Sequence, residues 1–507
     1  MLRLTWVQPE DLIGHELRQA AQDGRSATAV AAVAARWRAA GGPEAPPRAG
    51  ASPRPASRYL RLLAGDLLDE LADLPSGLAD DEPTDLGAIK SLCPEWPSPV
   101  DTAPPASDHP AADHPDADHR RAGRLDADRS WTDRPDTDHR RSSRPDTDRL
   151  GTEPLEAAWL GRAVGCLLGK PVEKLPLDGI RRLARATGNW PLNYYFTALG
   201  VPGELAARYP WNRRSAATSL AENIDGMPED DDLDYPLLNL LLLQRYGKGF
   251  TTTDVARLWL DELPAGRSFT AERVAYRNLL DGVEPPRTAR HRNPFREWIG
   301  ALIRADVHGW TNPGDPAGAA EQAHRDATLT HTAGGVHAAM FGAAVIATAA
   351  GTGAGAGGDR PDVHACLRAG LAVVPPRSRL ARAVREAVRL AHEHHDFTTV
   401  VDRLHALHAG AHWVHAVPNT ALIAAAITHA DGDFTGAVCR AVSGGWDTDS
   451  NGATVGGVTA LLAGSPAALP ERWTAPLKNR LATSVGDFNG VGFDTLARLT
   501  RLEASRP

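Results

Sequence analysis

Two short acidic runs carry the residue types best suited to holding a cation. Glu229-Asp230-Asp231-Asp232-Leu233-Asp234 directly precedes the apolar run that starts at Tyr235. Gly444-Gly445-Trp446-Asp447-Thr448-Asp449-Ser450-Asn451-Gly452 precedes a run of small residues. Adjacent carboxylates repel, and a hard divalent cation with oxygen ligands, Mg²⁺ or Mn²⁺, relieves that repulsion. Each run also has a purely structural reading. Carboxylates at a helix N-terminus cap free N–H groups and complement the dipole, and Asp-rich turns cap helices through their own side chains. A cap needs only one Asp, however, and two such runs, each abutting a helix, favour a shared metal centre.

Two further segments are chemically suggestive. Gly161, Gly165 and Gly169 recur at every fourth position and give one smooth helix face for close packing. Lys170-Pro171 ends that helix and leaves Glu173 in a loop, where it is either a surface carboxylate or a member of the site. Asp326, Thr330, His331, Gly334, Gly335 and His337 lead into an Ala-rich helix. His331 there is either a satisfied buried histidine or a contact to a ligand's phosphate, which a glycine-preceded helix N-terminus suits.

The elements that must position these groups read as helices. Tyr235–Tyr246, Ala338–Ala350, Ser378–His394, Thr399–His408 and Thr420–His429 are Ala/Leu-rich with helical spacing, and β-branched alternation is scarce. Residues 155–507 are predicted to form one all-α domain, a compact multi-helix bundle. Residues 1–92 are predicted to be a small helical N-terminal region, with Leu at three- and four-residue spacing over Tyr59–Leu74. Between them, residues 93–154 read as a disordered Asp/Arg/Pro-rich linker. A degenerate repeat (PDADHRRAGR, LDADRSWTDR, PDTDHRRSSR) holds almost no aliphatic residues, so it cannot bury enough apolar area to offset its ordering entropy. Its Asp-x-Asp spacing lacks the Gly and terminal Glu of a calcium loop.

Composition narrows the function classes. The chain has 507 residues and a formal net charge of −8. That balance argues against a nucleic-acid partner, which needs clustered Lys and Arg. Four cysteines with no Cys-x-x-Cys pair exclude a zinc ribbon and a disulfide framework. The absence of a secretory pattern in MLRLTWVQPEDL and of an uninterrupted apolar stretch argues against export and against a membrane, so a cytoplasmic location is expected.

Taken together, the four segments resemble the ADP-ribosylglycohydrolase family, also called the dinitrogenase reductase-activating glycohydrolase family. Its Gly-rich opening helix ending in Pro-x-Glu is matched by Gly165 to Glu173. Its Thr-Asp-Asp-Thr motif aligns with Asp230 to Leu233, its Thr-His segment with Thr330-His331, and its Gly-Gly-Asp-Thr-Asp-Thr-Asn motif with Gly444 to Asn451. Arg472-Trp473 resembles the closing Pro-x-x-Trp. The chain departs from the pattern in several places. Cys166 stands where many members have Asp, Asp230 and Leu233 replace two threonines, Trp446 is inserted, and Ser450 replaces Thr.

The resemblance implies an all-α fold and two Mg²⁺ or Mn²⁺ ions. Asp230, Asp231 and Asp232 would hold one side of the pair, and Asp447, Asp449 and Ser450 the other. Glu173 would sit in a mobile loop over the metals. His331, Gly334 and Gly335, with Gly444 and Gly445, would contact the substrate. The implied reaction is hydrolysis of the bond joining ADP-ribose to an acceptor, either an ADP-ribosylated protein or a small molecule, with Glu173, Asp231 or Asp232 as the acid or base. Two other readings remain open at this stage. One is an ADP-ribose-binding module without turnover, suggested by the altered threonines and by Trp446. The other is a prenyl diphosphate enzyme of the DDxxD type, which would need a second such motif and an aromatic-walled pocket.

Overall fold

A computed structural model describes residues 7–45, 55–98, 151–351 and 362–506. The repeat at 101–150, with the linker expected there, lies outside the described residues. Among the described residues all regular structure is helical, as expected, and the backbone pairings of strand type are two isolated bridges, Met227 with Leu481 and Trp298 with His415.

The helix Thr152–Gly169 is built of small and apolar residues, and every residue from Ala157 to Gly169 except the outward edge at Leu160 is fully enclosed or nearly so. It gives way at Gly169 to a short 3-10 turn, Lys170–Val172. Pro171, which lacks an N–H, is compatible with that break. The helix Thr448–Ala463 runs antiparallel to it, and the two backbones touch. A Cβ at Gly165 would lie 1.9 Å from the carbonyl oxygen of Gly452, and one at Gly161 would lie 2.3 Å from that of Gly456. At the end of the contact a Cβ on Gly169 would lie 2.3 Å from the Thr448 oxygen. There the Thr448 hydroxyl donates to the Gly169 carbonyl at 2.8 Å and satisfies one of the open acceptors at the helix C-terminus. The glycine face read from the sequence therefore meets a second glycine face.

A third helix, Asp231–Tyr246, is joined to this pair by Arg162. Its guanidinium is completely buried and donates to the Asp232 carbonyl at 2.7 Å, to Ile303 O at 2.6 Å and to Asp306 Oδ2 at 2.8 Å. The helix Ala333–Ala350 is long and apolar enough to cross a membrane, but it lies inside the protein core.

The N-terminal region is helical over Pro9–Gln22, Ala27–Ala39, Arg58–Asp73 and Leu86–Leu92. It shares its core with the larger domain: Leu12, Ile13 and Leu68 belong to the same apolar cluster as Phe295 and Trp298. Buried ion pairs fasten it. Arg296 holds Glu16 at 2.7 Å and Asp23 at 2.6 Å, and Arg379 bridges Glu82 and Glu297.

Replacing a hydrogen by a methyl group in the glycine contact forces two backbones apart. Gly165→Ala is expected to lower the unfolding free energy by about 1–3 kcal/mol, the usual range for overpacking. Gly266→Ala, at an exposed site with nothing within 4 Å, is expected to change it by no more than about 0.5 kcal/mol. Urea or thermal unfolding of the two variants checks the difference.

Candidate metal centre

The antiparallel glycine contact decides where the acidic groups meet. It brings the C-terminal end of one helix, with Lys170 and Glu173, against the N-terminal end of the other, with Asp447 and Asp449. Glu173, Asp447 and Asp449 each offer an oxygen, and these atoms lie within 4.8 Å of one another. A second group, Cys166, Asp230 and Asp232, satisfies the same distance. Two helix N-termini, at Asp231 and Thr448, begin at these clusters, and their dipoles favour negative charge.

The first acidic run is sorted by the fold. Asp230 is the N-cap of its helix and accepts from Asp232 N at 2.9 Å, so the capping reading is correct for this residue. Its other oxygen is ion-paired with Lys170, which also donates to Glu229 O at 3.2 Å. Glu229 turns away to Arg267 at 2.9 Å, and Asp234 accepts from Thr483 and Ser484. Asp231 and Asp232 stay with the cluster, where they interact electrostatically with Glu173 and Asp447 respectively.

The second run is held from behind by asparagines. Asn419 Oδ1 accepts from Asp447 N at 3.1 Å and from Asn451 Nδ2 at 2.7 Å. Ser450 donates its backbone N–H to Asp449 at 3.1 Å, and its hydroxyl bonds Asp447. Gly445 and Trp446 both take left-handed backbone, at φ +77° and +57°, and Trp446 packs against the core. Its ring stacks on His405 with centroids 4.1 Å apart, and His405 donates to Gly444 O at 2.8 Å. Glu173 is 16% exposed and is held by Asn212 at 2.6 Å and Lys174 at 2.5 Å.

Burial penalises these carboxylates as anions, and their mutual repulsion adds to it. Asp231, Asp232 and Asp449 are pushed well above the usual carboxylate range, and Asp447 is pushed up to about 7. Asp230 differs: against the same desolvation, the Lys170 ammonium keeps it below the ordinary value. The residues suit a hard cation. The Glu173, Asp447 and Asp449 donors are all oxygen, and Asp232 Oδ1 is buried without a hydrogen-bond partner, with Arg162 Nη2 at 3.8 Å.

The residues expected to contact the diphosphate are engaged by other protein groups. His331 is fully buried, shares a 2.6 Å hydrogen bond with Thr330 Oγ1, and has its Nε2 3.9 Å from Glu272. A Cβ on Gly334 would lie 3.4 Å from the Glu297 carboxylate, and one on Gly335 would lie 2.7 Å from Arg296 O. The N-terminal region caps this helix: Thr84 Oγ1 accepts from Ala333 N at 3.0 Å, and His337 donates to Pro83 O at 2.7 Å. Sequence reasoning missed Arg162, Lys170, Asn212 and Asn419 as supports of the carboxylates. Arg162 had a readable signal, a lone charge inside an otherwise apolar, glycine-lined helix. Asn212 and Asn419 had none.

An all-helical protein with carboxylates gathered at two helix N-termini is the class that fold and site define. The sequence profile of the ADP-ribosylglycohydrolase family matches residues 150–505. The chain belongs to the ADP-ribosylglycohydrolase family. A solved structure, described as an ADP-ribosylglycohydrolase-related protein complex, is similar at 21% identity and a TM-score of 0.42, over 70% of this chain and 97% of that one. No curated protein matches the chain. The family membership gives the prenyl diphosphate reading no support.

Raised carboxylates make stability depend on pH. The folded chain retains protons that the unfolded chain has lost, from an unfolded value near ~3.9 up to the folded value. Metal-free protein is therefore expected to lose stability as pH rises from ~4 toward the Asp447 value of about 7. Asp447→Asn is expected to flatten that slope. A bound divalent ion needs the deprotonated groups, so Mn²⁺ is expected to raise the melting temperature more at pH 8 than at pH 5.5. Thermal melts with chelator and with Mn²⁺ at the two pH values check this.

Proposed function

We propose that the chain is a divalent-metal-dependent hydrolase that cleaves the N- or O-glycosidic bond between ADP-ribose and an acceptor, either an ADP-ribosylated protein or a related small molecule. The observation that carries this reading is the convergence of Glu173, Asp447 and Asp449, beside a second group of Cys166, Asp230 and Asp232 in which Asp232 Oδ1 has no hydrogen bond, in a chain of this family. Mg²⁺ and Mn²⁺ are the ions that such oxygen donors suit.

When bound, the ion supplies Lewis acidity toward the ribose hydroxyls and toward water. The chain's own residues do the rest. The transition state of glycoside cleavage is oxocarbenium-like, and a nest of buried carboxylates favours positive charge developing on the sugar. Proton transfer to the leaving atom or from the attacking water typically contributes about 10²–10⁴-fold. Glu173, Asp231 and Asp232 are the groups for it. Burial, with Asp230 and Asp232, pushes Asp231 above the usual carboxylate range, the direction an acid needs. Glu173 is partly open to solvent and is oriented by Asn212 and Lys174. Ser450 and Asn419 position Asp447. Gly444 and Gly445 are assigned to the substrate side of Asp447 by the resemblance; Gly444 itself packs on Leu422, where a Cβ would lie 2.5 Å from Cδ1. The diphosphate contact assigned to His331, Gly334 and Gly335 belongs to this proposal on one condition, that Thr84 leaves the Ala333 N–H.

The reading is tested with a panel of ADP-ribosylated arginine, serine, nucleobase and small-molecule substrates, with and without Mg²⁺ or Mn²⁺. At least one substrate is expected to be cleaved in a divalent-dependent manner, and Asp449→Ala is expected to abolish that cleavage. Wild-type-like turnover by Asp449→Ala at saturating Mg²⁺ would sink the proposal. Tight ADP-ribose binding with no cleavage across the panel would favour the binding-module reading, which the departures at Asp230 and Leu233 motivate.

A further inference from the structure

The number of ions in the centre can be argued from Lys170, and the argument rests on the divalent-metal reading above. The two acidic groups are not equivalent. Both oxygens of Asp230 are already engaged. One oxygen is ion-paired with the Lys170 ammonium, the other accepts from Asp232 N at 2.9 Å, and the Cys166 thiol bonds the same carboxylate. A thiol facing a carboxylate adds no hard oxygen donor to that side.

Lys170 is also unusually constrained for a lysine. It is 5% exposed and donates to Glu229 O at 3.2 Å as well as to Asp230. Its backbone opens the Lys170–Val172 turn, between Pro171 and the Gly169 that is pressed on Thr448. The turn delivers the ammonium to one place, so the rotamer entropy that normally weakens a lysine ion pair is already lost in the fold. Buried charge pairs of this kind are costly to break, because one partner is left uncompensated. The cation on the other side is held less firmly: Lys174, 38% exposed against the buried Lys170, pairs with Glu173 at 2.5 Å and reaches Asp447 and Asp449 only through its field.

We propose that the Lys170 ammonium takes the place of one of the two metal ions that the family resemblance implies, so that the centre holds a single divalent ion on the side of Glu173, Asp447 and Asp449. Lys170 is then a positioning residue. It neutralises Asp230 and so holds the N-terminus of the Asp231–Tyr246 helix against the centre, with Asp231 and Asp232 flanking the one ion through their interaction with Glu173 and Asp447.

Metal counting on the full chain tests this. The protein is stripped with chelator, desalted and titrated with Mn²⁺, with calorimetry for stoichiometry and electron paramagnetic resonance for coupling. The expected result is one equivalent with an isolated-ion spectrum. Two equivalents with an exchange-coupled spectrum would overturn the inference while leaving the metal centre intact. No binding at all would overturn both the inference and the reading it rests on. Lys170→Met is expected to raise the count from one to two by releasing Asp230. A folded Lys170→Met protein, judged by circular dichroism, that still holds one ion would overturn the assignment to Lys170. The wild-type count decides the matter even where that variant does not fold.

Discussion

The backbone contact between the helices Thr152–Gly169 and Thr448–Ala463 is the constraint on which the rest of the molecule depends. Glycines on both sides let carbonyl oxygens of one helix approach the Cα atoms of the other. Because the helices are antiparallel and in contact along their length, their register cannot slide without a clash. That register sets Gly169 against Thr448. It follows that the turn carrying Lys170 and Glu173 faces the turn carrying Asp447 and Asp449. Residues almost three hundred positions apart thus meet at a distance fixed by van der Waals contact, with no flexible side chain between them.

Gathering carboxylates in such a place costs free energy, and the fold offsets it by several means. Arg162 reaches from within the same helix contact to Asp306 and to the backbone at Asp232. Lys170 compensates Asp230, and Asn419 holds the backbone and side chains of the Asp447 loop. Two helix N-termini supply partial positive charge. The least compensated groups are Asp447 and Asp449, with Glu173 paired only to the part-exposed Lys174 and Asp232 Oδ1 left with Arg162 at 3.8 Å. A cation at these groups, as proposed, would couple metal binding to folding.

The N-terminal region belongs to the same physical object. Its helices share the apolar core, and its buried acids, Glu16, Asp23 and Glu82, neutralise Arg296 and Arg379 of the larger domain. Through Thr84 it also occupies the first N–H of the Ala333–Ala350 helix. His331 is fully enclosed, with its Nε2 3.9 Å from Glu272.

Much of this was legible in the sequence because it is local. Helical periodicity, the Gly161-Gly165-Gly169 stripe, the break at Pro171 and the two Asp runs each express a preference of neighbouring residues, and order along the chain was enough to relate them to a family. Which acids of the first run serve the site was not legible. Glu229 and Asp234 look like Asp231 and Asp232 until Arg267, Thr483 and Ser484 arrive from elsewhere in the chain. The same holds for Lys170 with Asp230, sixty positions apart, and for Thr84 on the Ala333 N–H. The sequence by itself determined the helices and the inventory of metal-binding oxygens. Only the tertiary structure decided which of those oxygens are compensated and which remain open to a cation, because compensation comes from partners that only folding brings within hydrogen-bonding distance.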